Sequence, residues 1–246
     1  MSDRIKKFKK IDAHSHIGNF EGWPDVRITA KQLIAQMDEY NIEKTVLSTF
    51  PIEDSIIAVD SYPDRFIGAA WINPYEGKNA LDVIKNCVNS HGFKAIKLHP
   101  LFQAYRANDD CVFPFAELAE ELDIPLMIHS GHPPFSLPWS IAQLAELYPK
   151  VKMVMIHMGH GHGVYIQAAL DMAKKFPNLY LETSGMPMHN KIKEAYETIG
   201  SDRIMFGIDA PFHHPSVEIQ RSLICGLNDK QLEDLFYNNV KKLLKL

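Results

Sequence analysis

Two histidines two residues apart, His14 and His16, stand in the run Ile11-Asp12-Ala13-His14-Ser15-His16. An Ile-rich, alternating run of this kind reads as a strand. In a strand, side chains i and i+2 leave by the same face. The two imidazoles therefore project side by side, with Asp12 one step below, and that is how two histidines come to bind one metal ion. The bland alternative is a half-buried strand with two polar residues on one face. What decides between them is whether the rest of the chain supplies further ligands. It holds 12 histidines. His99, His129 and His157 each close a short apolar run, and Asp209 closes another.

The elements that must position these groups can be read in order. After the first strand, a loop with Gly18, Gly22 and Pro24 leads to Thr29-Ala30-Lys31-Gln32, which has the form of a capping box. Apolar, β-branched runs over 45–50, 66–72, 95–99, 125–129, 152–157, 179–183 and 204–209 read as seven more strands. Helical spacing falls between them, near 54–61, 80–88, 115–122, from about 140, over 164–175 and over 190–199. Residues 101–112 read as a long loop, and helices near 217–225 and 230–244 close the chain. Continuously apolar strands are what parallel strands covered by helices require. Eight βα units in 246 residues have the size and rhythm of a (β/α)8 TIM barrel, one domain over 1–246. A doubly wound sheet is the alternative, but no Gly-rich phosphate turn follows the first strand.

Composition narrows the class. The chain is 46% hydrophobic with a formal net charge of -4. It offers neither a basic stripe for nucleic acid nor an apolar run of membrane-spanning length. The lysine-rich lead over 4–10 reads as a solvated entry to the first strand and lacks the apolar stretch of a secretory signal. Cys87, Cys111 and Cys225 are odd in number and far apart, as expected of free thiols in a cytoplasmic protein.

In such a barrel, reactive groups lie at the C-terminal ends of the strands. The polar residues obey this. Strand one ends in His14 and His16, strand four in Lys97 and His99, strand five in His129, strand six in His157, strand seven in Glu182 and Thr183, and strand eight in Asp209. Any one of them could be a satisfied residue near a loop, but the clustering of the set has no structural reason. Imidazole and carboxylate donors suit Zn²⁺ first, then Mn²⁺, Fe²⁺ or Co²⁺. Three histidines and a carboxylate leave a position for water, whose pKa the ion would bring to about 7.

Taken in order, Asp12-Ala13-His14-Ser15-His16, His129-Ser130-Gly131-His132-Pro133, His157-Met158-Gly159-His160 and Phe206-Gly207-Ile208-Asp209 resemble the amidohydrolase superfamily. The branch they are similar to is the amidohydrolase-related group that includes aminocarboxymuconate-semialdehyde decarboxylase. The chain end, with Asn239, Leu243 and Leu244, resembles that group's closing helix. The resemblance implies one metal ion held by His14, His16, His129 and Asp209. It implies that Asp209 also takes a proton from bound water, and that His157 acts as an acid or base or polarises the substrate. Other branches carry a carboxylated strand-four lysine between two ions. This branch has one ion, so Lys97 and His99 are expected to contact a substrate carboxylate or oxygen. An ion pair of Lys97 with Glu182 is the structural alternative.

His160 follows Gly159 and is expected to line the pocket, and one of His213 and His214 to reach it. Asp12, a step deeper than the histidine pair, is expected to be an inward polar anchor. Loops over 19–23, 102–106, 134–139 and 186–188 are rich in aromatics, Met and Pro and suit a mostly apolar small molecule. Arg106 is the candidate to bind an anionic group on it. The expected activity is hydrolysis of an amide, ester or lactone by metal-activated water. The alternative is a metal-dependent decarboxylase of an enoic or aromatic acid on the same site, and a barrel that only binds a ligand is the third reading. The expected partner is a small-molecule substrate, with no nucleic acid or membrane, and a homodimer is possible.

Overall fold

Eight parallel strands carry the fold in the computed structural model, which describes residues 3–20 and 26–246. They are β1 (Lys10–Ser15), β2 (Ile42–Leu47), β3 (Phe66–Trp71), β4 (Ala95–Leu98), β5 (Leu126–His129), β6 (Met153–Ile156), β7 (Leu179–Glu182) and β8 (Ile204–Met205). Each pairs with the next in chain order. A helix follows each strand: α1 (Ala30–Glu39), α2 (Ile52–Ser61), α3 (Lys78–His91), α4 (Phe113–Leu122), α5 (Pro138–Leu147), α6 (Gly163–Lys175), α7 (His189–Ile199) and α8 (Pro215–Leu223). This is the α/β TIM barrel expected from the rhythm of the sequence. The expected features Gly22, Trp23 and Pro24 lie outside the described residues.

The strands form where apolar side chains can be buried on both faces. Phe66–Trp71, for example, is buried at all six positions. The helices start and stop on local chemistry. Thr29 caps α1 and forms the full capping box with Gln32. Gly92, in the left-handed conformation, ends α3. The apolar strand and helix faces merge into one large core, and a second cluster joins Ile67, Ala95, Met127, Val154 and Met205 with Val240, Leu243 and Leu244 of the last helix.

Four local features differ from the sequence reading. Strand eight is short, because beyond Met205 its backbone bonds elsewhere. Phe206 N–H donates to Leu235, while Phe206 and Ala210 carbonyls accept from Ala13 and His16 and Asp209 N–H donates to His14. These bonds close the barrel between β8 and β1 without a regular ladder. The stretch 101–112 is not a plain loop: Pro100–Gln103 and Asp110–Val112 form helical turns. The last helix is broken into Asp229–Glu233, a π-turn Asp234–Asn238 and Asn239–Leu244.

The basic lead is also more than a solvated entry. It forms a helix, Asp3–Lys7, and buries Ile5 and Phe8. Lys10 is fully buried and donates to the carbonyls of Ile5, Phe8 and Tyr40. A buried ammonium needs such acceptors, and three carbonyls supply them. Among the described residues, no helix is long and apolar enough to cross a membrane.

Candidate metal centre

The polar residues converge where β1, β6 and the turn after β8 meet. His14 lies on β1 and His16 one residue past its end. Their rings meet edge to face, with centroids 4.5 Å apart. His157 follows β6 with φ 67°, and Asp209 stands at φ 62°. For residues with a Cβ, such left-handed backbone costs of order 1–3 kcal/mol and persists only where the surroundings fix it. Here hydrogen bonds do so. Glu182 Oε2 accepts the His157 N–H at 3.1 Å, and Asp209 N–H donates to the His14 carbonyl at 2.7 Å.

Asp209 is the hub. Its Oδ1 lies 3.3 Å from His16 Nε2 and 3.5 Å from His14 Nε2. Ligand atoms of His14, His157 and Asp209 all lie within 4.8 Å of one another, and all three residues are buried. The partners of the imidazoles fix which nitrogen faces inward. His16 Nδ1 is hydrogen-bonded to the Ser48 carbonyl, which can only accept. His157 Nδ1 lies 3.0 Å from both the carbonyl and the hydroxyl of Ser184. That hydroxyl gives its own proton to Glu182 Oε2 at 2.8 Å, so it must accept from His157. Both rings thus carry their proton on Nδ1 and present a bare Nε2. Metal-binding histidines are oriented by outer partners of this kind.

Electrostatics point the same way. Burial, and then the nearby Lys97 charge, hold His14 well below the ordinary imidazole range. Burial pushes His157 down to about 3. For Asp209, burial alone would raise the carboxyl, but His157 and His16 outweigh it and hold it below its usual value. Neutral imidazoles with free lone pairs beside an ionised carboxylate are what a divalent cation needs, so these residues fit one.

The other expected residues take distinct places. His129 ends β5, with its ring stacked on His99 at 3.9 Å and 4.8 Å from His157. Its Nε2 faces His132 Nδ1 at 2.8 Å. Lys97 is buried, with Nζ 3.5 Å from His14 Nε2, and burial pushes it down to about 7. The alternative pairing with Glu182 is not formed: both Glu182 oxygens are taken by His157 N–H and by the amide and hydroxyl of Ser184.

His99 lies between Trp71 and His129, and its Nδ1 accepts the Phe102 N–H. His160 is half-buried, its ring 5.2 Å from His157 and its Nδ1 without a hydrogen-bond partner. Arg106 is not brought to the cluster; it sits exposed in its loop, where its backbone N–H donates to Asp109. Asp12 is the buried anchor its position implied. Its Oδ1 accepts from His14 and Ile208 N–H, its Oδ2 accepts from the Ser15 hydroxyl, and burial pushes its carboxyl up to about 7.

Of the pair after Asp209, His213 reaches the site, with Nε2 3.9 Å from Asp209 Oδ2. His214 turns away to cap α8. Sequence reading missed Ser48, Ser184 and Glu218. Ser184 follows the polar end of β7 and was open to the same strand-end argument; Ser48 and Glu218 act from an adjacent strand end and a helix, with no periodic signal.

Comparison with known proteins bears on this geometry. The amidohydrolase family model (Amidohydro_2) matches residues 11–246. A gamma-resorcylate decarboxylase of Polaromonas sp. (strain JS666) is 24% identical over an alignment of 299 positions, covering 91% of this chain and 91% of that protein. One from Rhizobium radiobacter is 24% identical, with 62% of each covered. Among solved structures, 5-carboxyvanillate decarboxylase from Novosphingobium aromaticivorans, complexed with manganese and 4-hydroxy-3-methoxy-5-nitrobenzoic acid, superposes with TM-score 0.80 at 16% identity, covering 98% of this chain and 97% of that one. A dihydroxybenzoic acid decarboxylase from Polaromonas sp. JS666, with manganese and the inhibitor 2-nitroresorcinol, gives 0.75 at 19%, covering 97% of each. The expectation of amide, ester or lactone hydrolysis is corrected here, because these four relatives are named as decarboxylases. The shared ligand motifs do not separate the two reactions. In this chain, the donors of His14, His157 and Asp209 form a group that could hold a metal ion.

Proposed function

The chain belongs to the amidohydrolase family, and from that membership we propose that it is a metal-dependent carboxy-lyase of a small hydroxylated aromatic acid. The observation that carries the reading is Asp209, a buried carboxylate between the Nε2 atoms of His14 and His16, with His157 presenting a bare Nε2 beside it. The names of the relatives supply the reaction class.

We assign one divalent ion to His14, His16, His129 and Asp209; for His129 this requires Nε2 to turn from His132. Zn²⁺ and Mn²⁺ both suit the donors, and manganese in the solved relatives makes Mn²⁺ the ion to load first. When bound, the ion supplies a Lewis acid that lowers the pKa of a substrate phenol.

The protein's own groups do the rest. Asp209, held ionised by its imidazole neighbours, takes the phenolic proton. It then delivers that proton to the ring carbon that bears the carboxylate. Protonated Asp209 is a strong acid, as protonation at carbon demands. The carbon–carboxylate bond breaks, its electron pair restores the aromatic ring, and CO₂ leaves. The phenolate product takes one proton from solvent, and no water is consumed. His157, fixed by Ser184 and Glu182, presents its bare Nε2 beside Asp209 as a second acceptor for that proton. Lys97 and His99 are assigned to the substrate's anionic oxygens, and His160 to the pocket wall. Arg106 would contribute only if its loop moved.

The substrate would be a free small molecule. Three unpaired thiols suit a cytoplasmic location, and a homodimer is proposed as the working assembly. The test is incubation of the Mn²⁺-loaded protein with a panel of hydroxybenzoates while CO₂ is measured. Metal-dependent release from at least one acid supports the reading, and release from none overturns it.

A further inference from the structure

Outside the metal centre lies a cavity of about 530 Å³ that the reaction above does not use. That size falls within the roughly 300–1,000 Å³ usual for small-molecule sites. The short strand Arg27–Ile28, the first turns of α1 and the turn after β8 bound it. It shares one wall with the metal centre, the segment 211–214. On that wall the Phe212 ring centroid stands 6.1 Å from that of His16, and His213 Nε2 stands 3.9 Å from Asp209 Oδ2. The other His213 nitrogen, Nδ1, lies 3.7 Å from Glu218 Oε1. Both nitrogens of that ring face carboxylates, so His213 separates the two spaces and is not itself a ligand group of the cavity.

The other polar groups of the lining have donors to spare. Arg27 carries only donors, is exposed, and makes no ion pair with any described residue. Gln32 spends its Oε1 on the Thr29 amide and hydroxyl in the capping box, which leaves its two N–H groups. His214 accepts the Ser216 N–H at Nδ1 as it caps α8, so the neutral ring keeps its proton on Nε2. Gln36 adds a carboxamide, and no described lining residue is a carboxylate. A guanidinium without a counter-charge, beside further N–H donors, selects an oxyanion, which accepts from several donors at once and meets the planar fork bidentately. Ile28, Ala35 and Phe212 make the rest of the lining apolar. We propose that this cavity is a binding site for a small organic oxyanion, its head group on Arg27, Gln32 and His214 and its apolar body against Ile28, Ala35 and Phe212. The site lies apart from the metal centre and does not depend on the lyase reading.

The test is calorimetric titration of the Mn²⁺-loaded protein with three probes that share one body: cyclohexanecarboxylate, cyclohexyl phosphate and the neutral cyclohexylmethanol. None of them has the ring that decarboxylation needs. At least one anion is expected to bind saturably, about tenfold or more tightly than the alcohol, and the tighter anion tells carboxylate from phosphate. Arg27→Gln should weaken that anion by about tenfold or more, the worth of a charge-assisted hydrogen bond. Ala35→Trp, a change at an exposed helix position that fills the cavity, should abolish its binding. Asp209→Asn, which alters only the metal centre, should bind it as the parent does. A parent that binds neither anion, or that binds the alcohol equally well, overturns the site. Binding that survives in Arg27→Gln and Ala35→Trp but is lost in Asp209→Asn places the anion at the metal centre and overturns it as well.

Discussion

Glu182 on β7 and Gly207 after β8 occupy one space: a Cβ at position 207 would stand 2.1 Å from Glu182 Oε1. Glu182 is wholly buried and holds the His157 amide and Ser184 in place. Gly207→Ala should therefore push Glu182 off its partners. Overpacking of this kind costs about 1–3 kcal/mol, so thermal unfolding should show a lowered Tm. Because His157 loses the group that orients it, kcat should fall more than KM changes. An unchanged Tm and kcat would mean that Glu182 has slack to move.

His129 and His157 are predicted to separate when metal is counted. His129→Ala should lower the metal-to-chain ratio after dialysis well below one. His157→Asn should keep the metal and lose turnover by about 10²–10⁴, the range of a proton-handling group. The reverse pattern would make His157 the ligand, as its place beside His14 and Asp209 permits.

Asp12 ties β1 to the turn after β8 by accepting the amides of His14 and Ile208. Asp12→Leu leaves those donors and the Ser15 hydroxyl unpaired inside the barrel. Denaturant unfolding should show a loss of about 2–5 kcal/mol. Asp12→Asn keeps the Oδ1 acceptor and should cost clearly less; equal losses would argue against the hydrogen bonds as the cause.

The histidine, lysine and aspartate positions were legible in the sequence because strand ends are visible as apolar runs that stop on a polar residue. His14, His16, His129, His157 and Asp209 all lay at such stops, and the barrel followed from the rhythm of those stops. What the sequence hid was geometry between strands. The Glu182–Gly207 contact, the Ser184 link to His157 and the His129–His132 pair each join residues whose relation depends on how side chains turn. Arg106 looked like an anion binder by type and loop, yet nothing in its neighbours announced that it would point to solvent. The reaction was the least legible part, because hydrolysis and decarboxylation use the same ligands.

Glu218 gives the protein a pH signature. Burial pushes its carboxyl up to about 7, against the pull of Arg221 and with help from the Asp209 charge. Its folded value thus lies above that of an unfolded glutamate, about 4.3. The native state keeps a proton that the unfolded chain has released, so this contribution to stability is full at acid pH and is lost as the pH rises through about 7. Relative to Glu218→Gln, the parent should lose about 1–3 kcal/mol between pH 4 and pH 8. Parallel stability curves for the two proteins would show that Glu218 does not titrate in this range.

The lyase reading is tested most directly by running the Mn²⁺-loaded protein on an acid it accepts in D₂O and analysing the products by NMR. The account predicts CO₂ and arene in equal amounts, the arene carrying deuterium at the carbon that bore the carboxylate, with no product formed by addition of water. Asp209→Asn should abolish both signals. Hydrolytic products, or CO₂ release that persists in Asp209→Asn, would contradict it.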